Sequence, residues 1–188
     1  MIDVSMNKKT RPVYIFSGRI GSGKTTLSKA FAGELGLARA GFGDAVMAEA
    51  SRRGLNVNEK AILQKLGQDL VTEEPEEFCR GIISALPGEG QEGGVIDGLR
   101  HIHIFETLTR ILGAERLLLA FIAIDERERL RRLNTFRGWT PVLISQYDND
   151  PTEIQVQSEL PSLAHFTVDN SGSAERSLNE LLGWASLH

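Results

Sequence analysis

Gly18-Arg19-Ile20-Gly21-Ser22-Gly23-Lys24-Thr25 fits the pattern G-x-x-x-x-G-K-[ST]. Val13-Tyr14-Ile15-Phe16 in front of it is a β-branched and aromatic run, as expected of a buried strand. Behind it, Leu27, Ala30, Phe31 and Leu35 recur at helical spacing until Gly36 ends the helix. Strand, glycine loop and helix form the arrangement that a phosphate cradle needs. Glycines tolerate positive φ and let the backbone come close to a ligand. Successive N–H groups then converge as an anion nest at the positive end of the helix. Gly18, Arg19, Ile20, Gly21, Ser22, Gly23, Lys24, Thr25 and Thr26 are the residues expected to line a nucleoside triphosphate. Lys24 is placed to reach the β- and γ-phosphates, and the Thr25 hydroxyl to sit on Mg²⁺.

Outward from this loop, 188 residues predict one domain with a substantial core. The net charge of −4 argues against a protein that coats nucleic acid, since such binding rests on basic neutralisation of phosphates. Cys79 is the only cysteine, which excludes an intrachain disulfide and a cysteine-rich zinc site. No apolar run approaches the roughly 20 residues of a membrane helix. Residues 1–11 are polar and lysine-bearing without an apolar segment, so they read as a short flexible tail rather than a secretory signal. The expectation is a cytoplasmic protein whose domain occupies residues 12–188, with no membrane partner, as a monomer or homodimer.

Ala38 to Phe42 reads as a weak second strand, after which Asp44 caps a helix. Asn56 or Asn58 caps the next, and Pro75 opens a third with Glu76 and Glu77 near its positive end. Three helices between two strands exceed a simple crossover, so residues 45–87 are expected to be an acceptor-binding insertion. Val95-Ile96-Asp97 reads as a strand ending in a carboxylate, with Arg100 three residues on. Leu117 to Ile124 is apolar on both faces, as a parallel strand covered by helices requires. Asp125 caps a helix carrying Arg127, Arg129, Arg131 and Arg132, and Gly138 to Asp150 reads as irregular. Residues 127–150 are therefore expected to form an arginine-bearing lid. Asp150-Pro151-Thr152-Glu153 is a helix start. Ala164 to Val168 is the last strand, and Ala174 to Leu187 a closing helix. Alternating strands and helices predict a three-layer α/β/α fold with a parallel sheet of about five strands.

Asp97 follows an apolar strand and is placed to hold Mg²⁺ or position the acceptor. Asp44 is a candidate general base or acceptor-binding group. Arg100 is able to grip an acceptor phosphate bidentately. Arg129 and Arg132, one turn apart, are the lid arginines expected to supply transition-state charge. His101 and His103 alternate after Arg100 and could line the substrate side, without ligands for a metal.

The chain resembles the nucleoside monophosphate kinase-like group of P-loop kinases. The resemblance rests on the GRIGSGKT loop, on Gly43-Asp44, similar to the "GD" of adenylate kinases, and on Val95-Ile96-Asp97-Gly98-Leu99-Arg100, similar to their "DG…R". The tail Val168-Asp169-Asn170-Ser171-Gly172-Ser173 looks like that of dephospho-CoA kinases, where this turn borders adenine. That likeness implies Asn170 and Gly172 as nucleotide-binding residues. It also implies an ATP- and Mg²⁺-dependent phosphotransferase acting on a nucleotide-like small molecule. The alternative from the residues is a regulatory or switch-type ATPase without an acceptor. No Asn-Lys-x-Asp guanine signature accompanies the loop.

Overall fold

The computed structural model describes residues 11–188. The tail expected over 1–11 lies, apart from Arg11, outside the described residues. In chain order the elements are β1 (Val13–Ser17), α1 (Lys24–Leu35), β2 (Arg39–Gly41), α2 (Phe42–Arg52), α3 (Lys60–Glu73) and α4 (Pro75–Ser84). There follow β3 (Gly94–Leu99), α5 (Ile102–Leu112), β4 (Leu117–Ala123), α6 (Glu126–Arg137), α7 (Pro141–Asp148), α8 (Pro151–Ser158), α9 (Leu160–Leu163), β5 (Phe166–Asp169) and α10 (Ala174–Ala185).

The five strands form one parallel sheet in the order β2-β3-β1-β4-β5. In register, Ile15 lies between Ile96 and Leu119, and Ile122 pairs with Val168. Strand alternation divides the core into two layers. Val13 and Ile15 of β1, with Leu117, Leu119 and Phe121 of β4, face a core shared with α2 to α5, α8 and α9. Tyr14 and Phe16, with Leu118, Ala120 and Ile122, face α1 and α10 through Phe31, Leu181 and Trp184. Both faces of β4 are thus covered, which is why its sequence is apolar throughout. This is the three-layer α/β/α architecture. Because all strands are parallel, their carboxyl ends lie along one sheet edge, where ligands of such sheets bind.

Four local readings are corrected. α2 begins at Phe42, with extended Gly41 as the cap, so Asp44 sits inside its first turn. Phe42 is drawn into the core against Phe78, ring centroids 5.5 Å apart, and Arg39 rather than a backbone amide engages Asp44 at 3.3 Å. α3 starts after Glu59, while Asn56 instead takes the Asn58 N–H at 3.0 Å in a tight turn. β3 runs on to Leu99, because Gly98 adopts φ 93° and the Ser17 hydroxyl donates to the Leu99 carbonyl at 2.7 Å. Asp97 is therefore within the strand and not at its end. Residues 138–150 are not irregular: α7 occupies 141–148, opened by Pro141 and capped by the Thr140 hydroxyl, which accepts the Leu143 N–H. Its Ile144 is buried against Leu133 and Trp139, Trp139 stacks on Tyr147 at 4.5 Å between centroids, and Lys60 of α3 lies over both rings.

Candidate functional site

The glycine loop joins β1 to α1 at the carboxyl edge, and its three glycines have φ of 149°, 88° and 85° at Gly18, Gly21 and Gly23. A side chain would crowd a different neighbour at each. A Cβ on Gly18 would meet the Ile122 carbonyl at 2.6 Å, one on Gly21 would meet Leu133 and Arg129 at 3.0–3.1 Å, and one on Gly23 would meet the Asn170 amide at 2.5 Å. The loop is thus clamped by β4, by α6 and by the turn after β5. Asn170 donates from Nδ2 to the Ser22 carbonyl at 2.7 Å, which orients that peptide so that its oxygen is taken from outside. The turn read from the tail motif therefore braces the loop directly. Gly172 lies in the same turn, where its carbonyl is 3.5 Å from an Arg132 nitrogen.

Lys24 opens α1, with Thr25 and Thr26 exposed in the same first turn. No carboxylate lies within 4 Å of its ammonium among the described residues, although Asp97 and Glu153 act on it electrostatically. Burial, and then the Arg100 charge, push its pKa down to about 8. An anion arriving at the loop supplies the missing partner and restores the charge. ATP affinity should accordingly fall as pH rises above about 8, and binding at pH 8.5 should take up a proton. Titration calorimetry in buffers of different ionisation enthalpy reads this directly; affinity that is flat from pH 7 to 9.5 would contradict it.

Across the edge, Asp97 is 4% exposed and its register partner in β2 is Gly41. Its Oδ2 accepts from Arg39 at 2.7 Å, while its buried Oδ1 has no partner. The same guanidinium also donates to Asp44 and, through Nε, to Ser28 of α1 at 3.2 Å. A bare carboxylate oxygen buried beside the loop fits a group that would meet a metal-bound water or an acceptor hydroxyl. Thr25 and Asp97 are the residues that would hold Mg²⁺, which would neutralise phosphate charge there. Among the described residues there is no cluster of three or more metal-ligating side chains.

Two arginines of α6 are held by partners within the fold. Arg129 is fully buried, bound to Glu126 and to Asp148 of α7 at 2.6 Å, with its Nη1 3.5 Å from the Ile20 carbonyl. Arg132 donates to Glu128 and, at 2.7 Å, to the Asn170 carbonyl, beside Gly23. Arg19 of the loop ties Glu126 and Asp148 together. Arg100 is paired with Glu153 of α8, whose second oxygen accepts the Ile20 N–H at 3.0 Å. Arg39, Asp148 and Glu153 escaped the sequence reading. Arg39 sat in a strand too short to show periodicity, and Glu153 stood where an ordinary helix start already explained an acidic residue.

Residues 17–138 match the protein family described as "AAA domain". The chain belongs to that family. It is 32% identical to a UPF0200 protein of Pyrobaculum aerophilum, over 91% of this chain and 94% of that one. In fold it is similar to a gluconokinase from Sinorhizobium meliloti (TM-score 0.62, 16% identity, 94% of this chain and 93% of that one). It is similar also to a shikimate kinase from Bacteroides thetaiotaomicron (TM-score 0.59, 18% identity, 93% and 98%). The fold of this AAA-domain chain is thus that of P-loop kinases. Among the described residues no helix is long and apolar enough to cross a membrane.

Proposed function

We propose that the protein is an ATP- and Mg²⁺-dependent kinase that transfers the γ-phosphoryl group to a nucleotide-like small molecule. The observation that carries this is Lys24: an ammonium kept without an ion pair, beside a loop whose glycines are held in positive φ by three separate elements. The donor half rests on Gly18 to Thr26, with Asn170 and Gly172 bordering the base. The acceptor half rests on Asp44, Asp97 and Arg100 under the helices of residues 45–87, and residues 127–150 act as the lid. In the reaction an acceptor oxygen bonds to the γ-phosphorus as the bond to the bridging oxygen breaks, and ADP leaves. Asp97 or Asp44 takes the proton when the acceptor is an alcohol. Arg132, beside Gly23, and Lys24 offset the charge on the transferring group, while Arg129 acts through the loop, holding the Ile20 carbonyl from its buried place between Glu126 and Asp148.

The likeness to adenylate and dephospho-CoA kinases in the Gly43-Asp44, Asp97–Arg100 and Asp169–Ser173 motifs supports the nucleotide-like class. A sugar acid or similar hydroxy acid is the second reading. It is favoured by Met47, which stands where adenylate kinases carry an acceptor-binding arginine, and by the gluconokinase and shikimate kinase neighbours. ADP release should be measured with nucleoside monophosphates, deoxynucleotides, dephospho-CoA, nucleosides, shikimate and gluconate. One class should accelerate it well above basal hydrolysis. Slow hydrolysis indifferent to every acceptor would instead make the protein a switch-type ATPase.

A further inference from the structure

The arginine best placed to meet an acceptor is already holding an anion, and that anion belongs to the chain. Glu153 places one carboxylate oxygen on Arg100 and the other on the Ile20 N–H of the phosphate loop. A guanidinium and a backbone N–H converging on two oxygens are a donor set for any carboxylate or phosphate. Glu153 itself is 2% exposed, whereas a third of the Arg100 side chain is open to solvent, so the pair is approachable from the arginine's side. Other carboxylates nearby are committed elsewhere: Asp148 to Arg19 and Arg129, and Asp150 to Gln64 at 2.9 Å. Among the described residues only Glu153 bridges Arg100 and the loop.

We propose that Glu153 is the specificity-determining residue of the acceptor site, a tethered carboxylate that occupies Arg100 and the Ile20 N–H until an anionic acceptor group displaces it. This rests on the kinase reading. α8 is anchored by Val156, fully buried in the core together with neighbouring Leu160, so the exchange is assigned to the glutamate side chain and not to the helix. The tether acts as a competitor at high effective concentration. It thereby rejects neutral acceptors, which gain nothing from displacing it, and weakens all but well-fitting anions. When Glu153 leaves, Arg100 loses its ion-pair partner and Lys24 keeps only the field of Asp97, which strengthens their pull on phosphate oxygens. The anion displacing it could also come from the γ-phosphate of the donor, and the test separates the two sources.

Glu153→Gln keeps an oxygen for the Ile20 N–H and removes the charge. Inorganic phosphate should be titrated calorimetrically into wild type, Glu153→Gln and Glu153→Gln/Arg100→Met, each saturated with a non-hydrolysable ATP analogue and Mg²⁺. The expected result is phosphate binding at least about tenfold tighter in Glu153→Gln, a gain that Arg100→Met removes. Phosphate binding unchanged or weakened would overturn the proposal. So would a gain confined to the analogue, with none for phosphate, which would assign the displacement to the donor. Glu153→Asp, too short to span both partners, should show a smaller gain in the same direction and serves if the glutamine variant does not fold. Failure of the analogue to bind wild type would sink the kinase reading instead. The titrations repeated without nucleotide on a Lys24→Ala background still read the displacement, with the same gain and the same loss expected.

Discussion

Lys24→Ala should lower acceptor-dependent turnover by about 10³-fold or more, the scale on which one well-placed cation contributes to phosphoryl transfer. The loss should come with markedly weaker MgATP binding and with no loss of fold. Lys24 forms no ion pair among the described residues, and its pKa of about 8 means that its charge is disfavoured in the folded chain. The unfolded chain holds the lysine proton up to the ordinary value of 10.5, the folded chain only to about 8, so the unfolded state binds more protons between these values. Below pH 8 the half-buried, partly desolvated ammonium therefore costs stability, and the cost is relieved as pH rises toward 10.5. Thermal unfolding at pH 7 should find Lys24→Ala at least as stable as wild type. A variant that unfolds early would mean that Lys24 braces the loop rather than waits for a ligand.

Asp97→Asn should reduce kcat by roughly 10²- to 10³-fold, in the range for loss of a positioned acid–base or metal-organising carboxylate. Its shape is conserved and its remaining oxygen still accepts from Arg39, so the strand pairing with Gly41 and Phe16 is undisturbed. What disappears is the negative charge at Oδ1, the buried atom without a partner. Steady-state rates across a Mg²⁺ titration should show a higher Mg²⁺ requirement with the KM for ATP little changed. Activity within twofold of wild type at all Mg²⁺ concentrations would remove Asp97 from the reaction and leave it as a partner for Arg39 alone.

The sheet and the loop were legible because their signals are local. A glycine pattern between a β-branched run and a helix, or a seven-residue strand apolar on both faces, needs no distant partner to be read. The turn at Asn170 was found by likeness of its letters, and the structure adds its reason: the side-chain amide holds the Ser22 carbonyl from 148 residues away. The site's ion pairs were not legible for the same reason that makes them informative. Arg39–Asp97 spans 58 residues and Arg100–Glu153 spans 53, so nothing in the local sequence of either partner announces the other. The surroundings of Arg129 were equally out of reach: a run of arginines beside glutamates gives no sign that one of them is fully buried, as Asp148 on α7 allows by offering the carboxylate that lets a guanidinium be desolvated. α7 itself was missed because its eight residues are too few to show a period, and its packing joins Ile144 and Leu143 to Leu133 and Trp139, with Tyr147 stacked on Trp139.

Titration of MgATP into the wild-type chain alongside Lys24→Ala, followed by calorimetry at pH 7, tests the central claim most directly. Saturable 1:1 heat with the wild type, lost or weakened at least about a hundredfold in the variant, is the outcome this account requires. Absence of binding by the wild type, or equal affinity in both proteins, would mean that the loop beginning at Gly18 does not grip a triphosphate.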